Sequence, residues 1–369
     1  MRFIAAVLAA LVSSIGAAQF AQEDILHGGQ GGYFAYRTPN LAVTGKGTLV
    51  AVLCGRKGTV SDFAEIDALS IRSFDGGKTW SKPQVIADGG EDGMSNTCTL
   101  VDRTTNTIWV FMSRISSTAR QSEKGGKKAI IDGESVMTPW FVTSTDDGAT
   151  WSAPAALAAR LEPADPSITY HANGPGIGVQ LTSGRLIVPR YYRRRGSDVS
   201  YSHVIYSDDH GRNWRQGKAA GPYTNEHQVA ELADGVLMMN ARSYHGKNRR
   251  AVSISRDGGE TWSEPKQDDA LIEPVCQGSF VRLDPPASSR VRLLFLNPAS
   301  VKRENMTVRL SNDSGATWPV AKTLHTGPAA YSSLVVLKDG NIACLYERGE
   351  KGPYERLTFA RFSLKWLTE

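Results

Sequence analysis

The chain has 369 residues, with 42 basic and 37 acidic side chains and a formal charge of +5. That mild balance, with no basic tail or basic helix, argues against a nucleic-acid partner. Four scattered cysteines (Cys54, Cys98, Cys276, Cys344) exclude a disulfide scaffold, and neither CxxC nor HExxH spacing occurs, so nothing in the sequence requires a metal or another cofactor.

In chain order, the first segment, MRFIAAVLAALVSSIGAA, carries one basic residue and an apolar stretch too short for a confident membrane span. It reads as a secretory signal over 1–18, with export to the periplasm or the medium and a mature chain from 19 to 369; a retained anchor is the alternative. Short runs of apolar or alternating residues follow. Examples are Thr48–Leu53, Thr107–Met112, Leu186–Pro189, Val236–Met239, Val291–Leu296 and Ile342–Tyr346. Gly-, Asp- and Asn-rich turns separate them, and no amphipathic helix of a dozen residues is evident after the signal. The chain reads as all-β. Cys54 and Cys344 fall in such runs and are expected to be buried thiols. The dense Arg190–Arg195 stretch, RYYRRR, is either a solvated loop or a positive rim that attracts an anionic substrate.

Five copies of Ser-x-Asp-x-Gly-x-Thr-Trp punctuate these runs, at Ser73–Trp80, Ser144–Trp151, Ser207–Trp214 (Asn213 in the Thr place), Ser255–Trp262 and Ser311–Trp318. Such a repeat implies modules that cannot bury their apolar faces alone. Each box reads as a turn: Asp and Ser bond nearby backbone groups, Gly permits positive φ, and Trp packs beneath. The box aspartates are therefore structural, on the face away from a ligand. A strand is expected to end at each boxed Ser. Dividing about 350 residues among six blades leaves roughly 58 each, enough for four strands and loops. A six-bladed β-propeller forming one domain is expected, with a two-sheet sandwich as the alternative. The last blade lacks a box, and Gly32–Arg37 is a candidate for the strand that closes the ring.

Polar residues at strand ends are the candidates for chemistry. Arg37 stands in YRTP, Arg56 and Asp62 in CGRKGTVSD, and Glu226 in TNEHQV. Arg242 stands in MMNARS, Arg303 in ASVKREN, Tyr331 in AAYSSL, and Glu347 in CLYERG. Inner propeller strands point to one axis, so these can meet. Three converging arginines would repel one another unless acidic partners and an anion compensate them, which suggests a carboxylate ligand.

These ordered motifs, with GPGIGVQL, PVCQGS and NMTVRLSNDSGATW, resemble the bacterial exo-α-sialidase (neuraminidase) family from about Gly32 to Phe362. The resemblance implies a retaining glycosidase that removes terminal sialic acids from oligosaccharides, glycoproteins or glycolipids. It implies that Arg37, Arg242 and Arg303 clamp the sugar carboxylate. Glu347 would orient Arg37, and Arg56 would touch ring substituents at the pocket mouth. Asp62 would be the general acid and then base, its pKa raised by partial burial or by the bound anion. Tyr331, activated by Glu226, would be the nucleophile, because a neutral phenol avoids the repulsion a carboxylate would meet beside the substrate's own carboxylate. Arg309 is expected to face outward and Asp67 to play a supporting part. The segment EDGMSNTCTLVD departs from the family pattern with Ser95, Asn96 and Thr97, and Asp102 is only a possible contributor. Tyr170 and His171 fall near the expected wall. These departures leave room for an ulosonic acid lacking N-acetyl, and a non-catalytic glycan-binding propeller is the remaining alternative.

Overall fold

The computed structural model describes residues 19–117, 130–131, 134–135, 137–161, 167–285 and 288–369; the expected signal, 1–18, lies outside the described residues. Every boxed serine ends the third strand of a four-stranded antiparallel sheet: Glu65–Ser73, Met137–Ser144, Ser200–Ser207, Arg249–Ser255 and Glu304–Ser311. Six such sheets form a β-propeller. The innermost strands of the first four blades are Ala35–Val43, Gly93–Asp102, Ile168–Asn173 and Thr224–Glu231. The fifth begins at Ser279–Arg282. One long strand, Val320–Val336, is outermost in blade 5 through its first half and innermost in blade 6 through its second.

Blade 6 is completed by Ile342–Arg348, Arg356–Phe362 and, as outermost strand, Phe20–His27. The ring therefore closes through Phe20–His27 rather than Gly32–Arg37; Ala35–Val43 instead opens blade 1. This explains the missing sixth box. The box joins a third strand to a fourth by a tight covalent turn, and in blade 6 the fourth strand comes from the other end of the chain.

The box chemistry is the same in each copy. The Ser hydroxyl donates to the Asp (2.8 Å) and accepts from the Gly N–H (2.8–2.9 Å). The other Asp oxygen takes the Thr hydroxyl, and Asn213 substitutes by donating its Nδ2 to Asp209 at 2.7 Å. The Trp does more than pack beneath its own turn, because it enters the seam with the preceding blade. Trp80 meets Phe359 edge-on at 5.3 Å, and Trp214 meets Trp109 and Phe111 at 5.9 and 5.1 Å. The box glycine lies on the same seam: a Cβ on Gly77 would come within 2.1 Å of the Phe359 ring. Burying a tryptophan in such a seam contributes on the order of 4–6 kcal/mol of hydrophobic transfer. Each seam between adjacent blades holds its own apolar cluster. At the seam of blades 5 and 6, with no box Trp, Trp366 of the C-terminal helix Leu364–Thr368 stacks on Phe20 at 4.6 Å.

Middle strands are buried on both faces, which is why Leu49–Lys57 and Ile342–Arg348 read as continuous apolar runs rather than alternating ones. All four cysteines are free and buried. Among the described residues no helix is long and apolar enough to cross a membrane.

Two stability predictions follow from these contacts. Ser144→Ala strands the N–H of buried Gly148, at a cost of about 1–3 kcal/mol. The urea midpoint is expected to fall while any catalytic rate constant stays unchanged, and an unaltered midpoint would contradict this role for the box. His171 and His203 lie near the buried Arg190, and the buried His227 lies near Arg250. Burial first, and then Arg190 for the first two, lowers their pKa values, to about 3 for His171, well below the ordinary value for His203, and about 4 for His227. The unfolded chain binds protons on these rings from about pH 6.5 downward while the folded one does not. Stability is therefore fully present above that pH and is lost as pH falls toward 4, with a slope of up to about 4 kcal/mol per pH unit for three rings. Denaturant titrations at pH 7, 6 and 5 check this, and a flat profile would contradict it.

Candidate active site

The innermost strands do not run regularly to the axis. In blades 1, 2, 4 and 6 each carries a bulge, two residues facing one, at the same end of the ring. Thr38 and Pro39 face Leu53, and Asn96 and Thr97 face Met112. Asn225 and Glu226 face Arg242, and Ala330 and Tyr331 face Glu347. A bulge adds local twist and re-aims side chains that strict alternation would send to a blade face. Thr38 and Asn96 accordingly hold positive φ, 51° and 50°. Thus four bulges on four blades turn polar residues toward one cavity of about 390 Å³.

Arg37, Asp62, Glu226, Arg242, Arg303 and Tyr331 all line that cavity. The phenol of Tyr331 donates to Glu226 Oε1 at 2.6 Å. Arg242 Nη1 donates to Glu226 Oε2 at 2.6 Å and to the Tyr331 oxygen at 3.2 Å. Burial and the adjacent Glu226 carboxylate push the phenol pKa well above its ordinary value, so Tyr331 is neutral in the free site. Arg242 is held charged, because the Glu226 carboxylate outweighs its burial.

Glu347 is fully buried behind Arg37. It accepts from Arg37 Nε at 3.0 Å and Nη2 at 3.3 Å, from the Thr38 N–H at 2.7 Å and from the Tyr331 N–H at 3.1 Å. One carboxylate thereby fixes the Arg37 guanidinium and the backbone of Tyr331. Arg303 donates to the Tyr354 hydroxyl at 2.6 Å, and the same Tyr354 ring lies 3.8 Å from the Arg37 guanidinium carbon.

Asp62 stands at the mouth, with its side chain 74% exposed. Arg56 Nη2 donates to it at 2.7 Å, and Arg37 Nη1 lies 3.8 Å away. What burial it has raises its pKa, but Arg56 and Arg37 outweigh that and hold the carboxyl below its ordinary value. Partial burial therefore does not raise this pKa in the free site, which leaves the bound anion as the expected source of the rise. Arg56 also departs from expectation. It is buried behind Asp62, bonded to Asp62 and the Val60 carbonyl, and does not line the cavity.

Across from the arginines, the wall comes from blades 2 and 3: Ser95, Asn96, Ile115, Met137, Tyr170 and Tyr191. Thr97 bonds Asn40 instead, and His171 does not line the cavity. Asp102 is also absent from it. This carboxylate is buried among Thr104, Thr105, Gln180 and His210. Asp67 accepts from Tyr33 at 2.7 Å and from Lys57, and Arg309 bonds Asn297 away from the cavity. The Arg190–Arg194 run is strand rather than loop: Arg190 is fully buried, and Arg193 reaches the cavity rim. No box aspartate lines the cavity. Sequence reasoning missed Tyr354, Tyr191, Tyr244 and the apolar pair Ile115 and Met137. The three tyrosines stood beside segments already singled out: Tyr191 within RYYRRR, Tyr244 directly after MMNARS, and Tyr354 seven residues after Glu347.

The BNR repeat-like domain family matches residues 47–344. A sialidase of Micromonospora viridifaciens is 35% identical over 98% of this chain, and one of Bacteroides fragilis is 33% identical over 92%. The chain spans 56% and 64% of the lengths of these two relatives. Among solved structures, the Hadza microbial sialidase Hz136 superposes with a TM-score of 0.84 at 29% identity, covering 94% of this chain and 69% of that one. A ring of six blades, five boxes on one face and an arginine-, tyrosine- and carboxylate-lined cavity on the axis thus coincide with similarity along nearly the whole chain, which belongs to the sialidase family.

Proposed function

We propose that the protein is a retaining exo-α-sialidase, acting on terminal sialic acids of oligosaccharides, glycoproteins or glycolipids. The observation that carries this reading is the 2.6 Å contact of the Tyr331 phenol with Glu226 in a cavity shared with Arg37, Arg242 and Arg303. A sialoside bears a carboxylate on its anomeric carbon. The three guanidinium groups take that carboxylate, which places the anomeric carbon over Tyr331.

In the first step Tyr331 Oη bonds the anomeric carbon while its proton passes to Glu226. Asp62 protonates the leaving oxygen, and the glycosidic bond breaks. In the second, water attacks the same carbon from the Asp62 side, Asp62 takes its proton, and Tyr331 departs with the proton returned from Glu226. Two inversions give net retention. Arg242, touching both Glu226 and the phenol oxygen, stabilises negative charge as it develops there.

Asp62 must be protonated for the first step, although Arg37 and Arg56 hold it low in the free site. The substrate resolves this conflict: its carboxylate neutralises Arg37 and its bulk desolvates Asp62, and both effects raise the pKa. Ile115 and Met137 in the far wall suit the methyl of an N-acyl group, which favours an N-acylated substrate over an ulosonic acid without one. Residues 19–369 are read as one catalytic domain, exported behind the segment 1–18. An N-terminus at Gln19 in exported protein is expected, and an intact Met1 would contradict that.

Release of methylumbelliferone from its α-N-acetylneuraminic acid conjugate, without added metal, tests the activity. Wild-type turnover is expected, and both Asp62→Ala and Tyr331→Phe should lower kcat by about 10²–10⁴-fold. Arg303→Met should chiefly raise KM, since it removes carboxylate binding and leaves the Tyr331–Glu226 pair intact. Folded wild-type protein without turnover would contradict the assignment.

A further inference from the structure

The connection from blade 4 to blade 5, Glu273 to Gly278, is six residues long, belongs to no strand, and is largely buried. Glu273 is fully buried and ion-paired with buried Arg250 at 2.8 Å, and Arg250 Nη1 also donates to the Cys276 carbonyl at 2.8 Å. Between these anchors Val275 sits at φ 53°. A β-branched residue in the left-handed region is strained, and it persists where its surroundings over-determine it.

What the segment holds in place is the cavity. Glu273 Oε1 accepts the N–H of Ser243 at 2.7 Å, next to Arg242. Gln277, only 1% exposed, clasps both backbone groups of Ser332, next to Tyr331. Its Oε1 accepts the Ser332 N–H at 3.0 Å, and its Nε2 donates to the Ser332 carbonyl at 3.0 Å and to the Pro175 carbonyl of blade 3 at 2.9 Å. Ser332 is the first residue back in register after the bulge that carries Tyr331. Glu347 fixes the chain at the Tyr331 N–H and Gln277 fixes it one residue later. The phenol is thus set between two buried side chains, neither of which lines the cavity.

We propose that Gln277 is a positioning residue for Tyr331, and that the Glu273–Gly278 crossover braces the nucleophile and the clamp residue Arg242 as one unit. The inference rests on the nucleophilic role given to Tyr331 above. Gln277 touches no reacting atom. It acts by holding the phenol oxygen where Glu226 and the anomeric carbon both reach it, and a displacement of about 1 Å in such geometry costs about 100-fold in rate.

Gln277→Met preserves length and removes all three hydrogen bonds. It should lower kcat about 10- to 100-fold with KM changed less than about threefold, and slow covalent labelling of Tyr331 by a difluorosialic acid in the same proportion. Gln277→Glu supplies the readout that a merely structural residue would not move. Ionised, it accepts from Ser332 but cannot donate to the two carbonyls; protonated, it regains one donor. Its kcat should therefore recover toward acid pH relative to wild type. Folded Gln277→Met with wild-type kcat and labelling would overturn the proposal. If that variant does not fold, the Gln277→Glu profile decides: acid recovery supports it, and a profile parallel to wild type overturns it. Wild-type protein with neither turnover nor labelling would overturn the functional reading itself, a result distinct from active wild type with indifferent Gln277 variants.

Discussion

Three guanidinium groups brought to one axis are the constraint on which the rest of this structure depends. Left alone they would repel one another at short range in a partly dehydrated cavity. The fold answers with Glu347 behind Arg37 and Glu226 against Arg242, while Asp62 is shared by Arg56 and Arg37. Arg303 has a phenol, Tyr354, in place of a carboxylate. With Arg193 at the rim, five arginines (37, 56, 193, 242, 303) meet three carboxylates (62, 226, 347), so the site is deficient in negative charge. The carboxylate of the proposed anionic sugar would offset one of the two excess positive charges. In the proposed reaction it is the substrate's own carboxylate, rather than this deficit, that calls for a tyrosine at the point of attack. Its neutral phenol adds no further anion beside the substrate's carboxylate, and Glu226 with Arg242 can take up its proton and its charge only as the bond forms.

That constellation is held by residues from blades remote in sequence, so its precision depends on the ring. Box tryptophans fill five seams between blades, and Trp366 fills the sixth, where the two chain ends meet in one sheet. Blade 6 carries Tyr331 and Glu347, so closure by Phe20–His27 bears directly on the chemistry. Buried polar side chains then fix backbone as well as side chains. Glu347 holds Thr38 and Tyr331, Glu273 holds Ser243, and Gln277 holds Ser332. Each grips the site residue or its immediate neighbour.

Much of this was legible in the sequence because it is local or periodic. The boxes announce third-strand ends through Ser, Asp and Gly spacing, and the apolar runs announce strands buried on both faces. The identities of Arg37, Asp62, Glu226, Arg242, Arg303, Tyr331 and Glu347 came through motifs, and all but Glu347 line one cavity. What was not legible is what depends on long-range register. The bulges that turn Glu226 and Tyr331 inward have no sequence signature, and neither does closure of the ring by Phe20–His27. Arg56 was expected at the ring substituents because of its place in a motif, but its strand buries it behind Asp62. The low pKa of Asp62 likewise depends on two arginines whose distances no linear spacing gives.

The measurement that tests the account most directly is the site of covalent capture by a difluorosialic acid, located by peptide mass spectrometry on trapped protein. The account predicts one glycosyl adduct, on Tyr331, whose formation slows when Glu226 is changed to Gln. An adduct on Asp62 or Glu226, or full turnover with no adduct on Tyr331, would contradict it.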